Sequence, residues 1–113
     1  MIEEAIAKLT GLHLQEGALD KTHHLKLFDQ LGEYSAKWKD IGTYLGFYQR
    51  QLDEISGRPG LFNEGPRGWL RAMLSEWLQW TPDDPRGGSP TLAKLKTAVS
   101  KAGLGRTASE LTL

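Results

Sequence analysis

The sequence predicts an all-α fold. Every strong hydrophobic periodicity has helical spacing, and no run of alternating β-branched and polar residues indicates a strand. With 113 residues, 39% of them hydrophobic and 25% charged, the chain has the size and composition of one globular domain. Glycine- and proline-rich stretches separate its amphipathic segments. We therefore expect an antiparallel six-helix bundle over residues 21–113, behind a short N-terminal segment.

The N-terminal segment, residues 1–20, has a weak amphipathic pattern. Its apolar residues follow the spacing i, i+3, i+4, i+7 and are Ile2, Ala5, Ile6 and Leu9. Glycines at positions 11 and 17 interrupt the pattern. The segment is expected to be either a short helix or a partly ordered linker.

Two core helices are predicted before Gly46. The first begins at Asp20 or Thr22, which are both suited to N-caps, and ends at Gly32. The second is capped by Ser35 and ends at Gly46. The inner faces carry Leu25, Phe28 and Leu31 in the first helix, and Trp38, Ile41 and Leu45, with the small Gly42 beside them, in the second.

The third and fourth helices lie on either side of a glycine–proline turn. A short helix from about Tyr48 to Ser56 has Leu52 and Ile55 inward, and the stretch 57–60 ends it. The longest helix begins near Pro66, because proline has no amide hydrogen to satisfy in a first turn. Its apolar residues at helical spacing are Leu70, Met73, Leu74, Trp77 and Leu78.

The last two helices follow a loop, residues 81–90, that contains three prolines, two glycines and two aspartates. Ser89 or Thr91 caps the fifth helix and Gly103 ends it. A final short helix is expected between Arg106 and Leu113. The inward residues are Leu92, Leu95, Ala98, Val99 and Ala102, followed by Ala108 and Leu111.

The four tryptophans fall into two groups. Trp38 and Trp77 lie on the apolar stripes and are expected in the core. Trp69 and Trp80 flank the stripe of Trp77, and we expect one of them to be exposed.

Catalytic and metal-binding patterns are not visible in the sequence. His23 and His24 are adjacent and His13 lies ten residues earlier, whereas helical metal ligands need i, i+4 spacing. No serine stands in a nucleophile elbow, and neither glycine-rich loop follows a strand as a phosphate-binding loop does. We therefore expect no enzyme activity, cofactor, metal or small-molecule substrate.

The compartment is expected to be the cytoplasm. The N-terminus has acidic residues where a signal peptide has basic ones, and no apolar run approaches the roughly 20 residues that span a membrane. The chain has no cysteine, which is typical of a reducing compartment. Membrane insertion is not expected.

A helix-turn-helix of the DNA-binding type is one interpretation of residues 40–51. The stretch 40–46 resembles a first helix and turn, and Gln49, Arg50 and Gln51 would then read the major groove. Asp53 and Glu54 would lie on the same recognition helix near phosphates, and no basic stripe supplies phosphate contacts. DNA binding is thus the alternative function, and nucleic acid is not the expected partner. A further alternative is a helical fragment of an enzyme whose active site lies elsewhere.

Charge is unevenly distributed along a chain of zero formal net charge. Residues 1–56 contain six Lys/Arg and nine Asp/Glu, whereas residues 57–113 contain eight and five. Unequal halves of this kind favour electrostatic attraction between copies if the charges lie on separate faces.

The ordered set of segments resembles the death-domain family. Its second and third helices are matched by Trp38 to Gly46 and by Leu52-Asp53-Glu54-Ile55. Gly65-Pro66 and the stretch 70–78 resemble the fourth helix, and Pro90 to Leu104 resembles the fifth helix and the turn into the sixth. The similarity covers residues 22–113. Two departures are aromatic: Tyr48 replaces a common serine cap, and Trp69 replaces a smaller residue.

This resemblance implies a six-helix Greek-key-like bundle that acts by homotypic association in signalling, as in apoptosis or innate immunity. The partners would be other death-domain proteins or a second copy, joined by asymmetric contacts between different patches. The residues expected to bind the partner are Asp40, Tyr48, Arg50, Asp53, Glu54, Arg58, Arg67, Arg71, Lys94 and Lys96.

Overall fold

The computed structural model describes residues 18–61 and 64–113, which form helices and turns and contain no β-strand. This confirms the all-α prediction for the part of the chain described. The predicted pattern from Ile2 to Leu9 lies outside it. The α-helices are α1 (His24–Leu31), α2 (Trp38–Leu45), α3 (Gln49–Ser56), α4 (Gly65–Trp77), α5 (Leu92–Lys101) and α6 (Gly105–Glu110), and the 3-10 turns are Lys21–His23, Gly32–Lys37 and Pro59–Leu61.

The helices enclose one hydrophobic core. α2 packs against α3, α4 and α5, while α4 also packs against α1 and α5 also packs against α6. Most of the predicted inward residues are buried, which confirms the periodicity on which the helices were predicted. The fully buried members include Leu31, Ile41, Leu52, Ile55, Leu70, Met73, Leu74, Leu95 and Val99.

The beginning of α1 differs from the prediction. Asp20 is an N-cap, but of the turn Lys21–His23, where its Oδ1 accepts a hydrogen bond from the Thr22 amide at 2.9 Å. Leu25 was predicted to face the core and is instead 68% exposed. The helix buries Leu27 and Leu31, and a residue two positions before Leu27 points to the opposite side of a helix.

Gly32 ends α1 as predicted, but with right-handed helical dihedral angles, and it begins the turn Gly32–Lys37. Ser35 does not cap α2 as predicted, because it lies inside that turn and α2 begins three residues later. Gly32 is buried under the side chain of Arg67, whose Nη1 would be 2.8 Å from an added Cβ. This atom is the end of a flexible, exposed side chain, which can move aside.

Gly46 ends α2 as predicted. Its φ is +118°, which a residue with a side chain rarely adopts, and its amide donates to the carbonyls of Gly42 and Thr43. An added Cβ would also come within 2.0 Å of the Arg86 carbonyl oxygen. The glycine thus allows the loop before α5 to lie directly against the end of α2.

The C-terminal half follows the predicted boundaries closely. Pro66 lies in the first turn of α4, Thr91 caps α5, and Gly103 ends the helical path after it with φ +96°. One of the two flanking tryptophans was expected to be exposed, but neither is. Trp80 is only 6% exposed and Trp69 is half-buried. Each ring has an aromatic neighbour in the core, Phe47 for Trp80 and Trp38 for Trp69.

Candidate protein-interaction surfaces

The predicted acidic residues lie on neighbouring helices. Asp40 is exposed on α2 and forms no ion pair within the described residues. Asp53 and Glu54 project from α3, with side chains that are 59% and 61% exposed. Their exposure follows from the helical period, since Leu52 and Ile55 on either side are fully buried.

Both α3 carboxylates are already ion-paired within the chain. Lys39 Nζ lies 2.6 Å from Asp53 Oδ1, and Arg58 Nη2 lies 2.6 Å from Glu54 Oε1. The hydrogen bond from Lys39, and a second from Gln49, lower the pKa of Asp53. Arg58 likewise lowers the pKa of Glu54. Sequence spacing predicts only the second of these pairs, which joins residues i and i+4.

Arg58 connects α3 to α4. Besides Glu54 it contacts Glu76 of α4, with Nη2 and Oε2 2.5 Å apart, and these two carboxylates raise its pKa. One predicted basic site residue therefore lies among the acidic ones. We call the four carboxylates Asp40, Asp53, Glu54 and Glu76 the acidic surface. With the exposed Arg50 of α3 counted beside the bound Lys39 and Arg58, the four carboxylates outnumber the cations by one.

The two predicted α4 arginines contact their own chain. Arg71 is ion-paired with Glu64, which raises the pKa of the guanidinium and lowers that of the carboxyl. The Arg67 guanidinium lies 5.0 Å from the centre of the Phe28 ring, a cation–π distance. Both residues therefore lie on the α1–α4 side, away from the lysines of α5.

The α5 helix carries three lysines and no acidic residue. Lys94 Nζ donates to the carbonyl oxygens of Gly87 at 2.5 Å and Ser89 at 2.8 Å. Lys101 Nζ lies 6.0 Å from the centre of the Tyr44 ring, and Lys96 is half-buried near α6. None of the three is ion-paired to another residue of the described part of the chain.

A groove separates α5 from the end of α2. Tyr44 and Gly46 line one side, Ala93, Lys94 and Thr97 line the other, and Arg86 and Gly87 close one end. The Arg86 guanidinium binds Asp84 and lies 4.3 Å from the Trp80 ring centre. Arg86 lowers the pKa of Asp84 to about 2. We call Arg86, Lys94 and Lys101 the basic surface, since Lys96 lies on the other flank of α5, toward α6.

Three members of this region were not predicted as site residues. Lys101 could have been, because it lies seven residues after Lys94 and so shares its helix face. Tyr44 could also have been, since it falls outside the stripe of Trp38, Ile41 and Leu45. Arg86 could not, because its position depends on how the loop folds against Gly46 and Trp80.

Two of the three residues that would contact DNA already form hydrogen bonds within the chain. Tyr48 is the exposed N-cap of α3, and its amide donates to Gln51 Oε1 at 3.0 Å. Gln49 Nε2 donates to Asp53 Oδ1 at 3.2 Å. Arg50 is exposed, and carboxylates follow it on the same helix. Two of the three candidate side chains therefore already have partners within α3.

No group of three or more His, Asp or Glu residues that could hold a metal ion occurs within 18–61 and 64–113. No helix of those ranges is long and apolar enough for a membrane crossing.

Comparisons with protein-family models, with curated proteins and with solved structures found no match for this chain.

Proposed function

We propose that this chain is a protein–protein interaction module of the death-fold type, acting in cytoplasmic signalling through association with a second copy or a related domain. The order of the segments supports this proposal. Helices α2 to α5 and the turn before α6 fall on the stretches that resemble the death-domain family. The proposal assigns the chain a binding role rather than a catalytic one.

The observation that carries the proposal is the charge of α5. Its three lysines have no acidic residue on their helix and no ion pair in the described chain, while the acidic surface keeps more carboxylates than cations. A basic surface on one copy would therefore attract the acidic surface of the next. Such a contact joins different patches, so it leaves free surfaces at both ends and permits longer assemblies. Charge of this kind steers association more than it tightens it.

Light scattering across protein concentration at low and high salt tests this function. The wild type is expected to associate, and more weakly at high salt, because salt screens exposed charges. Glu54→Lys should abolish the acidic side of the contact and Lys101→Glu, at an exposed lysine, the basic side. Two reversals at exposed positions outside both surfaces, Glu33→Lys and Lys26→Glu, are the matched controls and should associate as the wild type does.

A mixture of the two site variants tests whether the acidic surface of one copy binds the basic surface of the other. Each variant alone lacks one half of the contact, but a Lys101→Glu copy and a Glu54→Lys copy together still offer one unmodified acidic and one unmodified basic surface. Association is expected to return in the mixture. If the mixture stays monomeric while the controls associate, the head-to-tail contact is wrong.

The DNA-binding alternative is decided by a gel shift at increasing salt. A shift of duplex DNA that disappears with Arg50→Ala, at protein concentrations where light scattering finds no self-association, would replace the proposed function. No shift is expected, because the α3 carboxylates would repel phosphates.

A further inference from the structure

We propose that Tyr44 is the aromatic anchor of the basic surface, and that the groove between α2 and α5 receives helix α3 of a second copy. This inference rests on the proposed head-to-tail function and specifies its geometry. It also adds an aromatic contact to a surface that charge alone would define.

The groove has the composition of a helix-binding site. The Tyr44 ring is 51% exposed at one wall, although the neighbouring Leu45 is buried. The opposite wall presents the exposed, small Ala93 and Thr97, and the space between the walls is about 410 Å³. An exposed ring beside small residues allows a helix to approach closely and pack its side against the aromatic face.

The cations around the groove are held in place and keep donors free. Lys94 uses two of its three ammonium hydrogens on the Gly87 and Ser89 carbonyls. Arg86 binds Asp84 through Nε and Nη2, and no described residue accepts from its Nη1. Lys101 lies beside the Tyr44 ring. Because these cations are already positioned, a carboxylate arriving in the groove requires little further ordering of side chains.

Charge complementarity identifies α3 of another copy as the occupant. This helix presents Asp53 and Glu54 side by side on its outer face. Their pairs with Lys39 and Arg58 are solvent-exposed, and such pairs contribute little, so their oxygens remain available to a second set of cations. The eight-residue α3 would place these carboxylates toward Lys94 and Lys101 and its flank against Tyr44.

The test places Tyr44→Ala on one copy at a time in the mixture of Lys101→Glu and Glu54→Lys proteins. The Glu54→Lys copy supplies the basic surface, so Tyr44→Ala there should weaken association about tenfold or more, as truncation of an interface anchor does. The same substitution on the Lys101→Glu copy, which supplies the acidic surface, should leave the affinity unchanged. Leu25→Ala, at an exposed apolar residue of α1, should have no effect on either copy.

A second variant does not depend on the tyrosine. Ala93→Phe fills the groove from its opposite wall at an exposed position, and it should cause the same one-sided loss. Equal affinities for both placements of Tyr44→Ala and of Ala93→Phe would overturn the groove assignment while leaving the head-to-tail function intact. Absence of association in the unmodified mixture would overturn both.

Discussion

Gly42 allows the closest contact between α2 and α3. A Cβ at this position would lie 2.7 Å from Leu52 Cδ2 and 3.5 Å from Met73 Cγ. Leu52 and Met73 are both fully buried, so neither side chain has free space into which it could move. A single hydrogen atom in place of a methyl group thus sets the distance between α2 and α3, two of the three helices that carry the acidic surface.

Gly42→Ala is therefore expected to lower the free energy of unfolding by about 1–3 kcal/mol, the usual cost of overpacking a core. Urea unfolding measures the change. Gly60→Ala is the matched control, because no atom lies within 4 Å of the Cβ that it adds, and it should stay within about 0.5 kcal/mol of the wild type. A neutral Gly42→Ala would show that the packing cost does not exceed the about 1 kcal/mol by which alanine is favoured over glycine inside a helix.

The Asp84–Arg86 pair makes stability depend on pH. Arg86 lowers the pKa of Asp84 from its ordinary 3.8 to about 2, so the charged carboxyl favours the folded chain. That contribution is complete above about pH 4, where the unfolded carboxyl is also ionised, and is lost as the pH falls toward 2. The pair also fixes the loop that closes one end of the groove, since Asp84 Oδ1 accepts from the Arg86 amide at 2.9 Å.

Asp84→Asn should accordingly lose less stability than the wild type when the pH falls from about 5 to about 2. Denaturant midpoints at both pH values measure the difference. Asp83→Asn removes a carboxyl from the same loop without removing the ion pair, and it should retain the full wild-type loss. An Asp84→Asn protein with the wild-type loss would mean that other carboxyls, such as Asp53 and Glu54, account for the whole pH dependence.

Among the elements, α5 carries the lysines of the basic surface, and its first turn is stabilised by an N-cap. Thr91 has an extended backbone, and its Oγ1 accepts a hydrogen bond from the Lys94 amide at 3.2 Å. This bond satisfies one of the amide groups that the first turn of a helix leaves without partners. The same turn contains Lys94, whose ammonium group binds the preceding loop.

Thr91→Ala should therefore cost about 1 kcal/mol of stability, whereas Thr91→Ser, which keeps the hydroxyl, should cost much less. Thermal unfolding of the two variants in parallel measures the difference. Equal losses would show that the methyl group of Thr91, rather than its hydroxyl, stabilises the start of α5.

The elements also show what sequence can and cannot predict. Helices α3, α4 and α5 were predicted well because each has a clear apolar period and a glycine, proline or threonine at its boundary. The end of α1 at Gly32 was also predicted correctly, but this glycine is right-handed and begins a 3-10 turn, whereas Gly46 ends α2 in the left-handed conformation. Local pattern does not distinguish these two uses of glycine.

The sequence predicted which charged residues would form the site, but not which of them would pair with each other across the fold. Lys39 and Asp53 are 14 residues apart, and Arg58 and Glu76 are 18 apart, so only the folded chain brings them together. Consequently Asp53, Glu54 and Arg71, predicted as available for a partner, have partners already. Lys94 and Lys96, also predicted to bind the partner, form no ion pair within residues 18–61 and 64–113.

In the molecule as a whole, α2 packs against each of the other helices that carry the two surfaces. The acidic surface lies on α2, α3 and α4, and the basic surface lies on α5 and the loop before it. Helix α2 packs against both α3 and α5 and therefore relates the two surfaces as one rigid body. A contact between unlike patches on such a body repeats with a constant rotation from copy to copy.

Cysteine trapping tests this head-to-tail contact most directly, because the natural chain contains no cysteine. Gly57→Cys introduces a thiol beside Arg58, which binds Glu54 and Glu76 of the acidic surface. Thr97→Cys introduces one in the wall of the groove, one helical turn before Lys101 of the basic surface, and neither change removes a charge. Under mild oxidation, a mixture of the two variants is expected to form mixed disulfide dimers faster than either variant alone. Dimers that form as fast within each single variant would indicate a symmetric contact and contradict the account.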